Sequence, residues 1–245
     1  MAQRYFIELA YLGKAYHGWQ IQDNAITVQE VLNTALSTLL RHPVETIGCG
    51  RTDTGVHAIQ HFVHFDTELT LNERHLQSLN GLLPFDIAVK RLIPVAPDAH
   101  ARFDAQLRAY EYHIHFEKNP FRQDFSWFLK EKPELELMNK AAEFLKLHTD
   151  FSCFSKSNTQ TFTNNCQIQE AYWAESEYGM VFHISADRFL RNMVRAIVGT
   201  LVEIGHKDMP PEAIQQIIQS KDRSNAGASV PACGLYLTQV KYPYL

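Results

Sequence analysis

The stretch GCGRTDTGVHA, residues 48–58, sets Arg51, Asp53 and His57 between glycines. An ionised carboxylate beside a guanidinium is held charged and oriented, ready to act as a nucleophile or a base. Gly50 and Gly55 allow a tight backbone and the close approach of a ligand. A turn aspartate that caps neighbouring backbone N–H groups would also explain Asp53 taken alone. The arginine and the histidine in the same short segment favour chemistry.

A second set runs from Arg188 into FLRNMVRAIVGTLVEIG, residues 189–205. Arg188, Arg191 and Arg195 are three and four residues apart, the spacing of one helix face. Arg195 lies within an otherwise apolar run, where a guanidinium needs a carboxylate or a phosphate as partner. Asp53 is the obvious candidate. A solvated stripe accounts for Arg188 and Arg191 better than for Arg195. A third set is HARFDAQLRAYEY, residues 100–112, in which Arg102, Phe103, Arg108, Tyr110 and Tyr112 interleave cations with aromatics. On a strand Arg108, Tyr110 and Tyr112 share one face. Such a face can stack a base and hold phosphates, or be an ordinary aromatic strand in a core. YHGWQ, residues 16–20, is an aromatic loop of the kind that contacts ligands.

Other chemistries find no support. His57, His61 and His64 are four and three residues apart on a strand, which turns His61 away from His64. No helical H-x-x-x-H stands near an acidic partner, so no metal site is expected. There is no Walker or Rossmann glycine loop and no serine elbow, so no cofactor is expected. The four cysteines, Cys49, Cys153, Cys166 and Cys233, form no C-x-x-C pair and suit a reducing compartment. MAQRYFIELAYLG reads as a strand rather than a signal peptide, and no apolar run approaches the ~18 residues of a membrane span. A soluble cytoplasmic protein is expected. The 245 residues allow one large domain or two small ones. The net charge of −4 fits a small-molecule enzyme slightly better, and it makes a nucleic-acid partner depend on a local basic surface.

The elements that must position these groups follow from periodicity. RYFIELAYLG (4–13) alternates as a first strand. TVQEVLNTALSTLLR (27–41) is a helix with Thr27 and Glu30 as a capping box and Val28, Val31, Leu32, Ala35, Leu36 and Leu39 as its apolar stripe. VETIGCG (44–50) is a short strand and HAIQHFVHFDT (57–67) a longer one. Thr70 and Glu73 suggest a capping box for a helix to about residue 83, before Pro84. DIAVKRLIPV (86–95) is the next strand. LRAYEYHIHF (107–116), a helix in ELELMNKAAEFLKL (134–147), strands in CQIQEAYWAES (166–176) and MVFHISADR (180–188), the helix of residues 189–205, a helix in PPEAIQQIIQSK (210–221) and a strand in CGLYLTQVKY (233–242) complete the order. β-α-β-β-α-β thus appears twice with one extra helix, without sequence repetition. The fold class expected is α+β with ferredoxin-like halves. The boundary falls near residues 98–105, giving units 1–104 and 105–245.

These motifs together resemble the tRNA pseudouridine synthase A family. GRTDTGVHA is similar to that family's GRTDxGVHA signature, and YHGWQ, HARF, RAYEY, the MVR helix and GLYL resemble its other segments in order. The resemblance runs along nearly the whole chain. Thr54 stands where many members carry alanine, and FLRNMVRA departs at Arg191, Asn192 and Ala196 while keeping Arg195. SKSNTQ (155–160) is sparse in basic residues.

The resemblance implies isomerisation of uridine to pseudouridine in the tRNA anticodon stem-loop, at positions 38, 39 and 40, without a cofactor. It implies Asp53 as the catalytic aspartate, Tyr110 as the tyrosine that stacks on the target base and as a candidate for the later proton removal, and Arg195 as the partner of the aspartate. It implies RNA contacts from Arg51, His57, His100, Ala101, Arg102, Phe103, Arg108, Arg188 and Arg191. It further implies a homodimer whose halves share one continuous, mainly antiparallel sheet, with helices on one face and a central RNA-binding cleft. Asp53 would attack C1′ or C6, or take a 2′ proton on the way to a glycal; the residues do not choose. The principal rival is a catalytically inactive RNA-binding or RNA-folding protein. An aspartate-based hydrolase of a small substrate is a third reading, weakened by the lack of a second acid or metal set near Asp53.

Overall fold

The computed structural model describes residues 2–156, 162–207 and 210–245, so residues 157–160 of SKSNTQ lie outside the described residues. The chain is a mixed α+β protein with mostly antiparallel strand pairs and five α-helices among the described residues. It divides into two compact units, one of Met1–Gln106 with Leu237–Leu245 and one of Leu107–Tyr236.

The first unit runs β1 (Gln3–Tyr11), α1 (Val28–Leu40), β2 (Ile47–Gly48), β3 (His57–Thr67), α2 (Glu73–Leu82) and β4 (Ile87–Val95). β1 is antiparallel to β4 and β3, and β2 is antiparallel to β3, so the order is β4-β1-β3-β2. The expected alternation of β1 gives way to continuous burial from Tyr5 to Leu9. The reason is cover on the Phe6 face. The rings of Tyr242 and Tyr244 meet Phe6 edge-on at 5.2 and 6.1 Å. Glu8, on that same face, is buried against Gln60 and Arg91. Thr27 caps α1 by accepting the Glu30 N–H, and Val28, Leu32, Ala35, Leu36 and Leu40 form its buried stripe. The cap of α2 is Asn72, not Thr70. Its Oδ1 accepts the N–H groups of Arg74 and His75, and the His75 ring accepts the Asn72 N–H in return.

The second unit runs β5 (Leu107–His115), β6 (Trp127–Phe128), α3 (Leu135–Leu145), β7 (Ile168–Ser176), β8 (Gly179–Ala186), α4 (Met193–Lys207) and α5 (Ala213–Ser220). β8 is antiparallel to both β5 and β7, and the two-residue β6 runs parallel to β5. Asn139 fastens α3 to β7 by bonding both the N–H and the C=O of Trp173, at 2.7 and 3.1 Å. α4 buries Met193, Val194, Ala196, Ile197, Val198, Leu201, Val202 and Ile204, in keeping with an apolar pattern on most sides. The last strand, β9 (Leu235–Lys241), lies beside β3 within the first unit from Leu237 onward. No helix among the described residues is long and apolar enough to cross a membrane.

Candidate active site

Asp53 sits half-buried on the loop between β2 and β3. Its carbonyl accepts the Val56 N–H at 3.1 Å, and Gly55 adopts a φ of 80° that closes the turn. Gly50 has no such constraint, since a Cβ there would meet nothing within 4 Å. The segment that follows β1 supports this loop. The Trp19 N–H donates to the Thr52 carbonyl at 3.2 Å, and the Gly55 N–H donates to the Tyr16 carbonyl at 3.3 Å. Gly18, at a φ of 89°, lies so close that a Cβ would come within 2.4 Å of the Thr52 oxygen. Tyr11 and Thr52 share a hydroxyl–hydroxyl hydrogen bond of 2.8 Å. The Tyr16 hydroxyl donates to Asp86 at 2.6 Å, and burial together with that carboxylate holds the phenol above its usual pKa.

YHGWQ is therefore largely a cradle. Tyr16 and Trp19 are buried, while His17 and Gln20 are exposed. Sequence reasoning missed Tyr11, Gly18 and Thr52 as supports of the aspartate loop. The recurrence of Tyr and Gly just after β1 was the available signal.

His57 is 1% exposed and its Nδ1 accepts the Gly13 N–H at 3.0 Å. A side-chain contact with RNA does not fit that burial; His57 braces the loop instead. Arg51 is exposed. In the HARF turn Ala101 is completely buried. Its N–H donates to His64 Nδ1 at 3.1 Å, and its carbonyl accepts the Tyr242 hydroxyl at 2.6 Å. Ala101 therefore shapes the turn and presents no side chain outward, contrary to the expectation of an RNA contact. His100 Nδ1 accepts the N–H groups of Arg102 and Phe103 at 3.1 and 3.2 Å. That leaves Arg102 and Phe103 exposed, with the guanidinium 5.6 Å from the ring centroid. Burial, with His100 and Arg4 nearby, pushes His64 down to about 4.

In the second unit the expected three-residue face of β5 is divided. Tyr112 is fully buried and donates its hydroxyl to the Pro231 carbonyl at 2.8 Å, which makes it a core residue. Tyr110 is half-buried, with the Phe189 ring edge-on at 5.1 Å. Arg108 donates to the Asp187 carbonyl at 2.8 Å. The structure thus brings β5 together with residues 187–189, which include Arg188. Arg188 and Arg191 precede α4 and do not share a helix face with Arg195. The helix starts at Met193 because Asn192 takes a left-handed φ of 68°, and its amide is tied to Ser229. Arg195 is half-buried in the first turn of α4, where its Nε donates to the Val230 carbonyl at 2.7 Å. Among the described residues no group of three or more His, Cys, Asp or Glu is placed to hold a metal ion.

Comparison with known proteins extends beyond these motifs. A family model described as tRNA pseudouridine synthase matches residues 141–243. The tRNA pseudouridine synthase A of Parabacteroides distasonis is 48% identical over 243 residues, covering 98% of this chain and 96% of the relative. That of Bacteroides thetaiotaomicron is 50% identical over 245 residues, covering 98% and 91%. That of Exiguobacterium sibiricum is 36% identical over 242 residues, covering 98% and 97%. Identity of this degree over nearly the full length of both chains spans both units, and this chain belongs to the tRNA pseudouridine synthase A family.

Proposed function

We propose that this protein isomerises uridine to pseudouridine in tRNA, with Asp53 as its catalytic aspartate. The observation that carries the reading is the full-length similarity to proteins named tRNA pseudouridine synthase A. The pinned loop that holds Asp53 half-buried supports it. The reaction breaks the N1–C1′ bond and forms a C5–C1′ bond. C5 gives up a proton and N1 ends protonated, so atoms balance without an oxidant or an energy source. Tyr110 stacks on the target base and Arg195 keeps the carboxylate paired. Arg51, Arg102, Phe103, Arg108, Arg188 and Arg191 hold the RNA, and His57, His100 and Ala101 shape the loops that present these groups. A uridine in a stem must leave the stack at a cost of a few kcal/mol, which aromatic and cationic contacts offset.

The proposal extends to the anticodon stem-loop at positions 38, 39 and 40, to a cytoplasmic homodimer, and to two ferredoxin-like halves on a shared sheet with a central cleft. The strand order β4-β1-β3-β2 of the first unit supports the ferredoxin-like reading of that half. The test is release of hydrogen from tRNA labelled at uridine C5. Wild-type protein is expected to release it and Asp53→Asn to release none while still binding tRNA. Absence of release by wild-type protein from any tRNA would overturn the reading in favour of an RNA-binding protein.

A further inference from the structure

We infer that the Tyr11 hydroxyl is a positioning group for Asp53, acting through Thr52; the inference rests on the isomerase reading above. Tyr11 ends β1 with its ring packed against two others that touch each other at 4.1 Å, stacked on Trp19 at 6.1 Å and edge-on to His61 at 5.7 Å. That packing restricts the ring and aims its hydroxyl at Thr52 Oγ1, 2.8 Å away. Both residues are buried, at 3% and 8% exposure. Thr52 is the residue immediately before Asp53. Its carbonyl is held separately by the Trp19 N–H, and the absence of a side chain at Gly18 lets the backbones touch there. Residue 52 is thus gripped at side chain and carbonyl by one segment, and the next carbonyl, that of Asp53, is held by Val56. The direction in which the Asp53 carboxylate leaves the backbone follows from these three constraints.

A buried tyrosine hydroxyl needs a partner merely to be satisfied, so the test must separate orientation from stability. Replacing both partners with apolar groups of the same shape leaves stability nearly unchanged. Tyr11→Phe, Thr52→Val and the double variant are compared with wild type in single-turnover release of the C5 hydrogen from labelled tRNA, at saturating protein. Loss of the hydroxyl contact is expected to lower the rate about tenfold, as small misplacements of a reacting group do. Affinity for tRNA should stay within about twofold, because the contact removed touches no RNA. The double variant should be no slower than either single one, since both remove the same contact. Thr52→Ser, which keeps the hydroxyl, should retain the wild-type rate. A Tyr11→Phe rate equal to wild type overturns the inference and leaves the isomerase reading standing. So does a rate loss matched by an equal loss of tRNA affinity or of folded protein. If Tyr11→Phe alone loses fold, the double variant, with no unpaired hydroxyl, decides the matter. Failure of wild-type protein to release hydrogen overturns the isomerase reading and this inference with it.

Discussion

His64 is buried with its Nδ1 occupied by the Ala101 N–H, and it faces His100 and Arg4 as well as the carboxylates of Asp66 and Asp104. Burial depresses its pKa from 6.5 to about 4. Between those values the unfolded chain binds a proton at this site and the folded chain does not, so stability falls as the pH drops from 6.5 towards 4 and levels off below it. The contribution is about 1–3 kcal/mol. His64→Gln keeps an acceptor for Ala101 but does not titrate. Urea unfolding at pH 7 and pH 4.5 should show a smaller acid loss in that variant than in wild type, and equal losses would exclude His64 as a source. At Gly18 steric constraint dominates instead. Gly18→Ala forces a side chain into the Thr52 carbonyl at a positive φ. It should cost about 1–3 kcal/mol and slow the reaction, measured by melting and by single-turnover rate.

At the scale of elements, two helices separate local rules from packing. The α2 cap is local: Asn72→Ala removes an acceptor for two N–H groups and should cost about 1 kcal/mol, lowering Tm by roughly 2–4 °C. α4 is decided by packing. Gly199 lies mid-helix, where alanine has the higher helix propensity by about 1 kcal/mol. Yet a Cβ there would sit 1.9 Å from the Ala228 carbonyl oxygen, a backbone atom that cannot swing aside. Gly199→Ala should therefore destabilise by about 2–4 kcal/mol in denaturant unfolding, opposite in sign to the propensity argument. The same contrast explains which elements were legible. β3 occupies the expected residues 57–67, although burial is continuous from His61 to Phe65 where alternation was expected, and α1 is capped by Thr27 as expected, with Leu40 buried in place of Val31 and Leu39. The start of α4 was not legible, because the apolar run continues upstream while Asn192 leaves the helical path through a tertiary tie to Ser229. β6 is two residues long and has no period to read.

For the whole molecule, a net charge of −4 means that tRNA affinity must come from local cations. Exposed Arg51 and Arg102 and the more retracted Arg108 are spread over both units. Arg102→Ala should reduce the slope of log affinity against log salt by about 0.7–0.9 if it meets a phosphate. An unchanged slope would remove it from the RNA surface. The sequence alone determined the order of the longer elements and the chemistry-bearing motif, because strand and helix periods and turn residues act over a few neighbours. It also named GRTDTGVHA and MVR as the segments of interest. Only the tertiary structure decided which motif side chains face outward. His57, Ala101 and Tyr112 proved buried, and Tyr11 proved to hold the residue beside Asp53 across 41 positions of chain. Burial and such hydrogen bonds arise from residues distant in sequence meeting in space, and no local pattern encodes that meeting.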